Sequence, residues 1–211
     1  MTKTPDLSLY LIIDSMYLSK IKKNWKRVLV PALDTGVTAV QLRCKDLTRD
    51  AFTSLAFKIH RITKKYRVPL IINDDAYVAK KINAEGVHLG ACDMPACVAR
   101  RLLGKNKIIG VSASTTAEAR AADRTGADYI GLGPVFFTEN KDIPPIQSAE
   151  LKKIVKTLRL PVVAIGGIKE YNINVLKKAG IKNFCFISEI SGTKNIAKKV
   201  IKLKERINDP A

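Results

Sequence analysis

The stretch PLIINDDAYVAKKINAEGVH, residues 69–88, decides the fold. Pro69 opens a strand over Leu70–Ile72, a place where its missing N–H does little harm. After Asn73 and Asp74 comes Asp75, a residue type suited to cap the helix that begins near Ala76 as Ala-Tyr-Val-Ala-Lys-Lys. Gly86–His88 then forms a second short apolar strand. Strand, helix and strand in that order imply a parallel β–α–β unit.

The same alternation runs outward in both directions. Further strand candidates are Leu9–Ile13, Ala39–Leu42, Ile108–Val111, Tyr129–Gly131, Val162–Ile165 and Phe184–Ile187. Between them, apolar residues recur at helical spacing over Asp50–Lys65, Thr116–Thr125, Ala149–Leu158, Asn172–Ala179 and Asn195–Ile207. Gly36, Gly126 and Gly180 stand where helix C-caps want glycine, just before a strand. Pro161 opens a strand as Pro69 does. Eight strands in 211 residues leave about 26 residues per unit, the compact end of the (β/α)8 TIM barrel range. A doubly wound sheet normally has fewer strands and a Gly-rich turn after the first, where this chain has Asp14-Ser-Met-Tyr-Leu. No linker or low-complexity tract interrupts the pattern, so a single α/β barrel domain over 1–211 is predicted.

Composition excludes several classes. A hydrophobic content of 46% with 27% charged residues excludes disorder. No apolar run approaches the roughly 20 residues of a membrane span. The opening MTKTPDLSLYLIID lacks the layout of a signal peptide, so a soluble cytoplasmic chain is expected. Cys44, Cys92, Cys97 and Cys185 make no disulfide framework and are expected to be reduced core thiols. With only His60 and His88 to assist them, a zinc site is not expected. The net charge of +18 is spread along the chain. Its densest clusters, Lys20–Arg27 and Lys194–Arg206, fall in amphipathic segments and read as solvated helix faces. No aromatic-interleaved basic stripe suggests nucleic acid as a partner.

In a barrel, chemistry gathers at the C-terminal ends of the strands. Strand two ends in VQLRCK (40–45), and strand alternation sets Gln41, Arg43 and Lys45 on one side, away from Leu42 and Cys44. That makes an anion socket, with Arg able to grip a phosphate through two hydrogen bonds. Strand three ends in INDD (72–75) and strand four in VHLGACD (87–93), bringing acids beside the socket. Two carboxylates with phosphate oxygens and water are what octahedral Mg2+ takes. Strand five closes as GVSAS (110–114) with hydroxyls, and strand six leads into a long polar loop around Lys141, suited to closing over a ligand. Strand seven runs into Gly166-Gly167, where backbone N–H groups can approach a phosphate.

Taken together, QLRCK, INDD, GVHLG-x-x-D-x-P, GVSAS, GADYIGLGPVFFT-x-N-K and PVVAIGG resemble the thiamine-phosphate synthase family, from Leu9 to about Ile190. The resemblance implies a transferase that couples hydroxymethylpyrimidine pyrophosphate with thiazole phosphate, giving thiamine phosphate and pyrophosphate. It implies Asp74 and Asp93 as Mg2+ ligands. Arg43, Lys45, Asn73, Ser112 and Lys141 would hold the pyrophosphate, with Arg43, Lys45, Ser112 and Lys141 stabilising charge on the leaving group. Gln41 and His88 would meet the pyrimidine ring, and Thr138, Asn140, Gly167, Ile187 and Ser188 the thiazole phosphate.

The chain departs from the family's usual pattern at five places. Asp75 stands where Arg is frequent, Ala91 where Gln often follows, and Ser114 where His is common. Asn140 replaces a Thr or Ser before Lys141, and Gln147 a frequent Gly. Two other readings compete: a thiazole tautomerase-like isomerase on the same barrel, and a non-enzymatic anion- or nucleic-acid-binding protein. The missing His at position 114 counts against the tautomerase, whose resemblance puts a catalytic base in that segment.

Overall fold

The computed structural model describes residues 5–138 and 144–210. Eight strands close into a barrel in chain order, each parallel to both neighbours. They are β1 (Leu9–Asp14), β2 (Ala39–Arg43), β3 (Leu70–Asn73), β4 (Gly86–Leu89), β5 (Ile108–Ala113), β6 (Tyr129–Leu132), β7 (Val162–Ile165) and β8 (Asn183–Phe186). The outer ring among the described residues comprises α1 (Ser15–Lys20), α2 (Lys26–Thr35), α3 (Arg49–Lys65), α4 (Ala76–Lys81) and α5 (Ala96–Leu103). It continues with α6 (Thr116–Ala122), α7 (Ser148–Thr157), α8 (Ile173–Lys178), α9 (Ser188–Ser191) and α10 (Ile196–Asn208). A 3₁₀ turn, Glu170–Asn172, precedes α8.

Strand alternation divides the apolar residues into two separate layers. Leu9, Leu11 and Ile13 of β1, with Val40, Leu42, Leu70 and Ile72, pack outward against the helices in one large core. Tyr10, Ile12, Ala39, Ile71, Tyr129, Val163 and Cys185 form a smaller cluster inside the barrel. Helix α3 shows how the ring docks. Thr48 caps it, its hydroxyl accepting from the Ala51 N–H at 3.4 Å, and Phe52, Ala56, Ile59 and Thr63 fall on one buried face. Truncating Phe52 to Ala would cost about 3–5 kcal/mol through lost burial and the cavity left behind.

Several boundaries differ from the sequence pattern, each for a local reason. Strand β8 ends at Phe186, because Ile187 leaves the β region (φ −116°, ψ −83°) to start the short helix α9. Helix α8 begins after Asn172, whose side chain is engaged in a loop instead. Helix α6 stops at Ala122, ahead of a turn through Gly126, which takes a φ of +82°. The expectation of core thiols holds for Cys185 alone. Cys44 is half-buried, and Cys92, on the β4–α5 connection, and Cys97, in the first turn of α5, are exposed.

Candidate active site

The C-terminal ends of the strands surround a cavity of about 730 Å³. Its inner part is the small apolar cluster, with Tyr10, Ile12, Tyr129, Val163 and Cys185 on its surface. Polar groups from successive strands rise above it: Gln41, Arg43 and Lys45 from β2 and its continuation, Asn73 and Asp74 from the end of β3, and His88 from β4. Asp93 comes from the next loop, Ser112 from β5, Thr138 from the loop after β6, and Ile187 from the end of β8. Gln41, Arg43 and Lys45 do share a side, as alternation required, while Leu42 points into the outer core.

Of the residues singled out in the sequence, Gly167 and Ser188 do not line the cavity, although their neighbours Gly166 and Ile187 do. Asn140 and Lys141 lie outside the described residues. The two glycines are nonetheless demanded by the backbone. Gly166 and Gly167 take φ of +100° and +64°, and a Cβ on Gly167 would come within 2.4 Å of the Phe137 carbonyl. Asn172 braces this loop, accepting from the Lys169 N–H at 2.8 Å and donating to the Gly167 carbonyl at 3.0 Å.

The acidic end of the cavity is tightly arranged. Asp74 adopts a φ of +66°, a left-handed conformation that costs an ordinary residue roughly 1–2 kcal/mol. Its N–H donates to the His88 carbonyl at 2.8 Å, and its carboxylate meets Lys45 Nζ at 2.7 Å. Asp93 accepts from the Gly90 N–H at 2.6 Å. Burial lifts the Asp93 carboxyl above the usual carboxylate range, the Gly90 N–H opposes this, and the adjacent Asp74 carboxyl lifts it further. Two crowded carboxylates that share one lysine are an oxygen-only donor set fitted to a hard divalent cation. Among the described residues no cluster of three or more His, Cys, Asp or Glu could hold a metal, so such an ion would draw its remaining ligands from substrate and water.

The cationic end is equally prepared. Asp14 and Arg43 are register partners on β1 and β2, and Arg43 Nη1 lies 2.5 Å from Asp14 Oδ2. Asp14 is buried, and its other oxygen accepts from the Tyr17 N–H at 2.9 Å as the cap of α1. Asp75, by contrast, faces away from the cavity. It caps α4, accepting from the N–H groups of Tyr77 and Val78 at 3.0 Å each, and pairs with Arg49 Nε at 2.7 Å.

A family model described as thiamine monophosphate synthase matches residues 9–190. The chain belongs to the thiamine monophosphate synthase family. It is thereby a transferase of thiamine biosynthesis, with the activity of a thiamine-phosphate synthase. It is 45% identical over 191 residues to the thiamine-phosphate synthase of Methanobrevibacter smithii, covering 90% of each chain. Against that of Clostridium tetani it is 41% identical over 208 residues, covering 98% of this chain and 99% of the other. The solved thiamine phosphate pyrophosphorylase of Pyrococcus furiosus superposes with a TM-score of 0.86 at 34% identity, covering 95% of both chains.

Within this family member, sequence reasoning overlooked several cavity residues. Tyr10, Ile12 and Asp14 carried a signal, since they alternate along β1 with the outward-facing Leu11 and Ile13. Tyr129 gave itself away less, but the glycines beside it did. A Cβ on Gly110 would lie 2.1 Å from Tyr129 Cζ, and one on Gly131 2.8 Å from His88 Cε1, so both strands are hollowed to admit the two rings. Met16, Tyr17 and Lys20 of α1 also line the cavity. Lys20 is exposed, as the reading of its cluster as a solvated face expects, and also stands at the cavity rim. His60 lies on α3 instead, 3.1 Å from Glu85. Among the departures, Ala91 lines the cavity, the Ser114 N–H binds Glu118 at 2.7 Å, and Gln147 occupies the N-cap of α7 without a side-chain cap bond.

Proposed function

We propose that this barrel couples hydroxymethylpyrimidine pyrophosphate with thiazole phosphate through a dissociative mechanism assisted by Mg2+. The observation that carries the reading is the meeting, in one cavity, of the Lys45–Asp74 pair at 2.7 Å with Asp93 and the tethered Arg43. Asp74 and Asp93 are the residues that would hold Mg2+. When bound, the ion would neutralise charge developing on the departing pyrophosphate.

The chain's own groups then divide the work. Arg43, Lys45, Asn73 and Ser112 bind the pyrophosphate together with Lys141, Arg43 with its orientation already set by Asp14. Gln41 and His88 orient the pyrimidine ring against the apolar floor of the barrel. Thr138, Asn140, Gly167, Ile187 and Ser188 hold the thiazole phosphate near the glycine loop. The carbon–oxygen bond to pyrophosphate breaks, and the ring nitrogen of the thiazole captures the pyrimidine methyl carbon. No nucleophile is required, and burial holds the Cys185 thiol at the cavity floor well above its ordinary range, so it stays protonated.

No described helix is long and apolar enough to cross a membrane. Substrates that are small charged metabolites support a cytoplasmic enzyme with no nucleic-acid partner. The deciding experiment supplies both substrates with MgCl2 and measures thiamine phosphate and pyrophosphate together. Equimolar release of the two is expected. Rearrangement of a thiazole substrate without pyrophosphate release would instead establish the isomerase reading.

A further inference from the structure

Inside the barrel, below the charged mouth, five polar side chains form one continuous line. Gln41 Nε2 donates to the Tyr10 hydroxyl at 3.0 Å, and the Tyr10 and Tyr129 hydroxyls lie 3.0 Å apart. Tyr129 Oη lies 3.0 Å from His88 Nδ1, and His88 Nε2 lies 3.0 Å from Ser112 Oγ. The His88 and Tyr129 rings stack with their centroids 5.5 Å apart, in the space that Gly110 and Gly131 leave open. Burial drives both phenols far above their ordinary range, so each carries a single proton to donate.

Counting protons gives this line a direction. Tyr10 is buried at 1% exposure and already accepts from the Gln41 amide. Its own proton must therefore go to Tyr129, since the opposite order would leave a buried hydroxyl proton without an acceptor, at a cost of about 1–3 kcal/mol. Tyr129 has then accepted from Tyr10, and its proton goes to His88 Nδ1. A neutral imidazole that accepts at Nδ1 carries its proton on Nε2 and gives it to Ser112 Oγ. The Ser112 hydroxyl has thereby accepted within the barrel and keeps its own proton for the cavity.

We propose that Tyr129 is a positioning residue: directed by Gln41 and Tyr10, it fixes His88 as the Nε2-protonated tautomer and so presents Ser112 to the substrate pyrophosphate as a hydrogen-bond donor. This rests on the reading of the cavity as a pyrophosphate site. A line running the other way would use the Ser112 proton inside the barrel and turn oxygen lone pairs toward an anion.

Two measurements test it. In uniformly 15N-labelled protein, long-range proton–nitrogen correlation reports the tautomer of each ring, and with two histidines in the chain a His60→Gln sample identifies His88. The expected spectrum of the wild type shows Nε2 protonated and Nδ1 bare. Protonation at Nδ1, or at both nitrogens, overturns the proposal without any variant having to fold. The second measurement is the affinity for inorganic pyrophosphate with MgCl2 in Tyr129→Phe, Ser112→Ala and the double variant. Each single change should raise Kd roughly three- to tenfold, the scale of one hydrogen bond, and Tyr129→Phe should add nothing once Ser112 is Ala. Independent, additive losses would show that Tyr129 does not act through Ser112. Failure of the wild type to bind pyrophosphate overturns the reading of the site itself, whereas binding with His88 protonated at Nδ1 overturns the relay alone.

Discussion

Lys45 and Asp74 hold each other at 2.7 Å across the mouth of the barrel, one from the end of β2 and the other from the end of β3. Neither charge stands alone before substrate arrives. A pyrophosphate carrying Mg2+ would offer both residues an opposite charge at once, with the anion toward Lys45 and the cation toward Asp74. The pair is about half exposed on the lysine side, so it contributes at most about 1 kcal/mol to folding and its worth lies in the site.

Asp74→Ala and Asp93→Ala should therefore fold while losing turnover. Each is expected to reduce kcat at saturating MgCl2 by about 100-fold or more, the scale of removing one preorganised electrostatic group. Circular dichroism should stay near wild type; Asp74→Ala should lose about 1 kcal/mol, because alanine tolerates the φ of +66° less well than aspartate, and Asp74→Gly should raise Tm by relieving it. Full activity in both Ala variants would remove them as metal ligands.

Asp14 serves two elements, and two substitutions separate its roles. Asp14→Asn keeps a capping oxygen for the Tyr17 N–H but removes the charge that tethers Arg43. Near-wild-type stability is expected, with KM for the pyrimidine substrate raised several-fold as Arg43 loses its fixed orientation. Asp14→Ala should show the same kinetic change and an additional stability loss of about 1 kcal/mol from the missing cap. Equal KM in wild type and Asp14→Asn would mean that Arg43 needs no tether.

Asp75→Arg restores the residue frequent in relatives but at a position that faces away from the cavity. It should cost about 1 kcal/mol through loss of the α4 cap, with a further contribution from repulsion of Arg49. Affinity for the pyrimidine substrate should change little. A marked fall in KM at unchanged Tm would show that the position reaches the substrate after all.

Lys199 on α10 binds Glu170 and Glu189 at 3.0 Å each and so ties the loop after β7 to α9, beside the glycine turn. The hydrogen bond from Lys199 is what chiefly holds the Glu170 carboxyl below its ordinary range. Burial opposes charge on Lys199, but the hydrogen bonds to Glu189 and Glu170 raise it overall. A lowered acid stabilises above its unfolded value near ~4.3, and a raised base below its own near ~10.4. Lys199→Met should thus cost roughly 1–2 kcal/mol between about pH 5 and 10. Chemical denaturation at intervals of pH should show that cost shrinking as the medium is acidified through the Glu170 titration, and again in strong alkali. A cost independent of pH would assign it to packing of the lysine stem.

The barrel was legible because its signals are local. A strand repeats every second residue and a helix every 3.6, so Leu9–Ile13, Ala39–Leu42 and the helical face of Asp50–Lys65 can be read from a dozen neighbours at a time. The same period placed Gln41, Arg43 and Lys45 together. Family resemblance, spread over six motifs, then supplied the identity that no single motif carried.

Pairings between distant residues depended instead on closure. Tyr10 and Tyr129 touch across a separation of 119 residues, and Arg43 finds Asp14 across 29, because the strands wrap into one cylinder with a fixed register. Local pattern marked Asp75 as a helix cap, but not the backbone turn that separates it from Asp74. Asp74 turns inward through a left-handed backbone and Asp75 outward to a helix cap, a difference of one φ angle that the packed strand end imposes. The sequence by itself determined the alternation, the element order and the kinds of groups at the strand ends, since these follow from short-range periodicity. Only the tertiary structure decided which of those groups meet, because hydrogen bonds and ion pairs act over about 3 Å and that distance is set by the closed sheet.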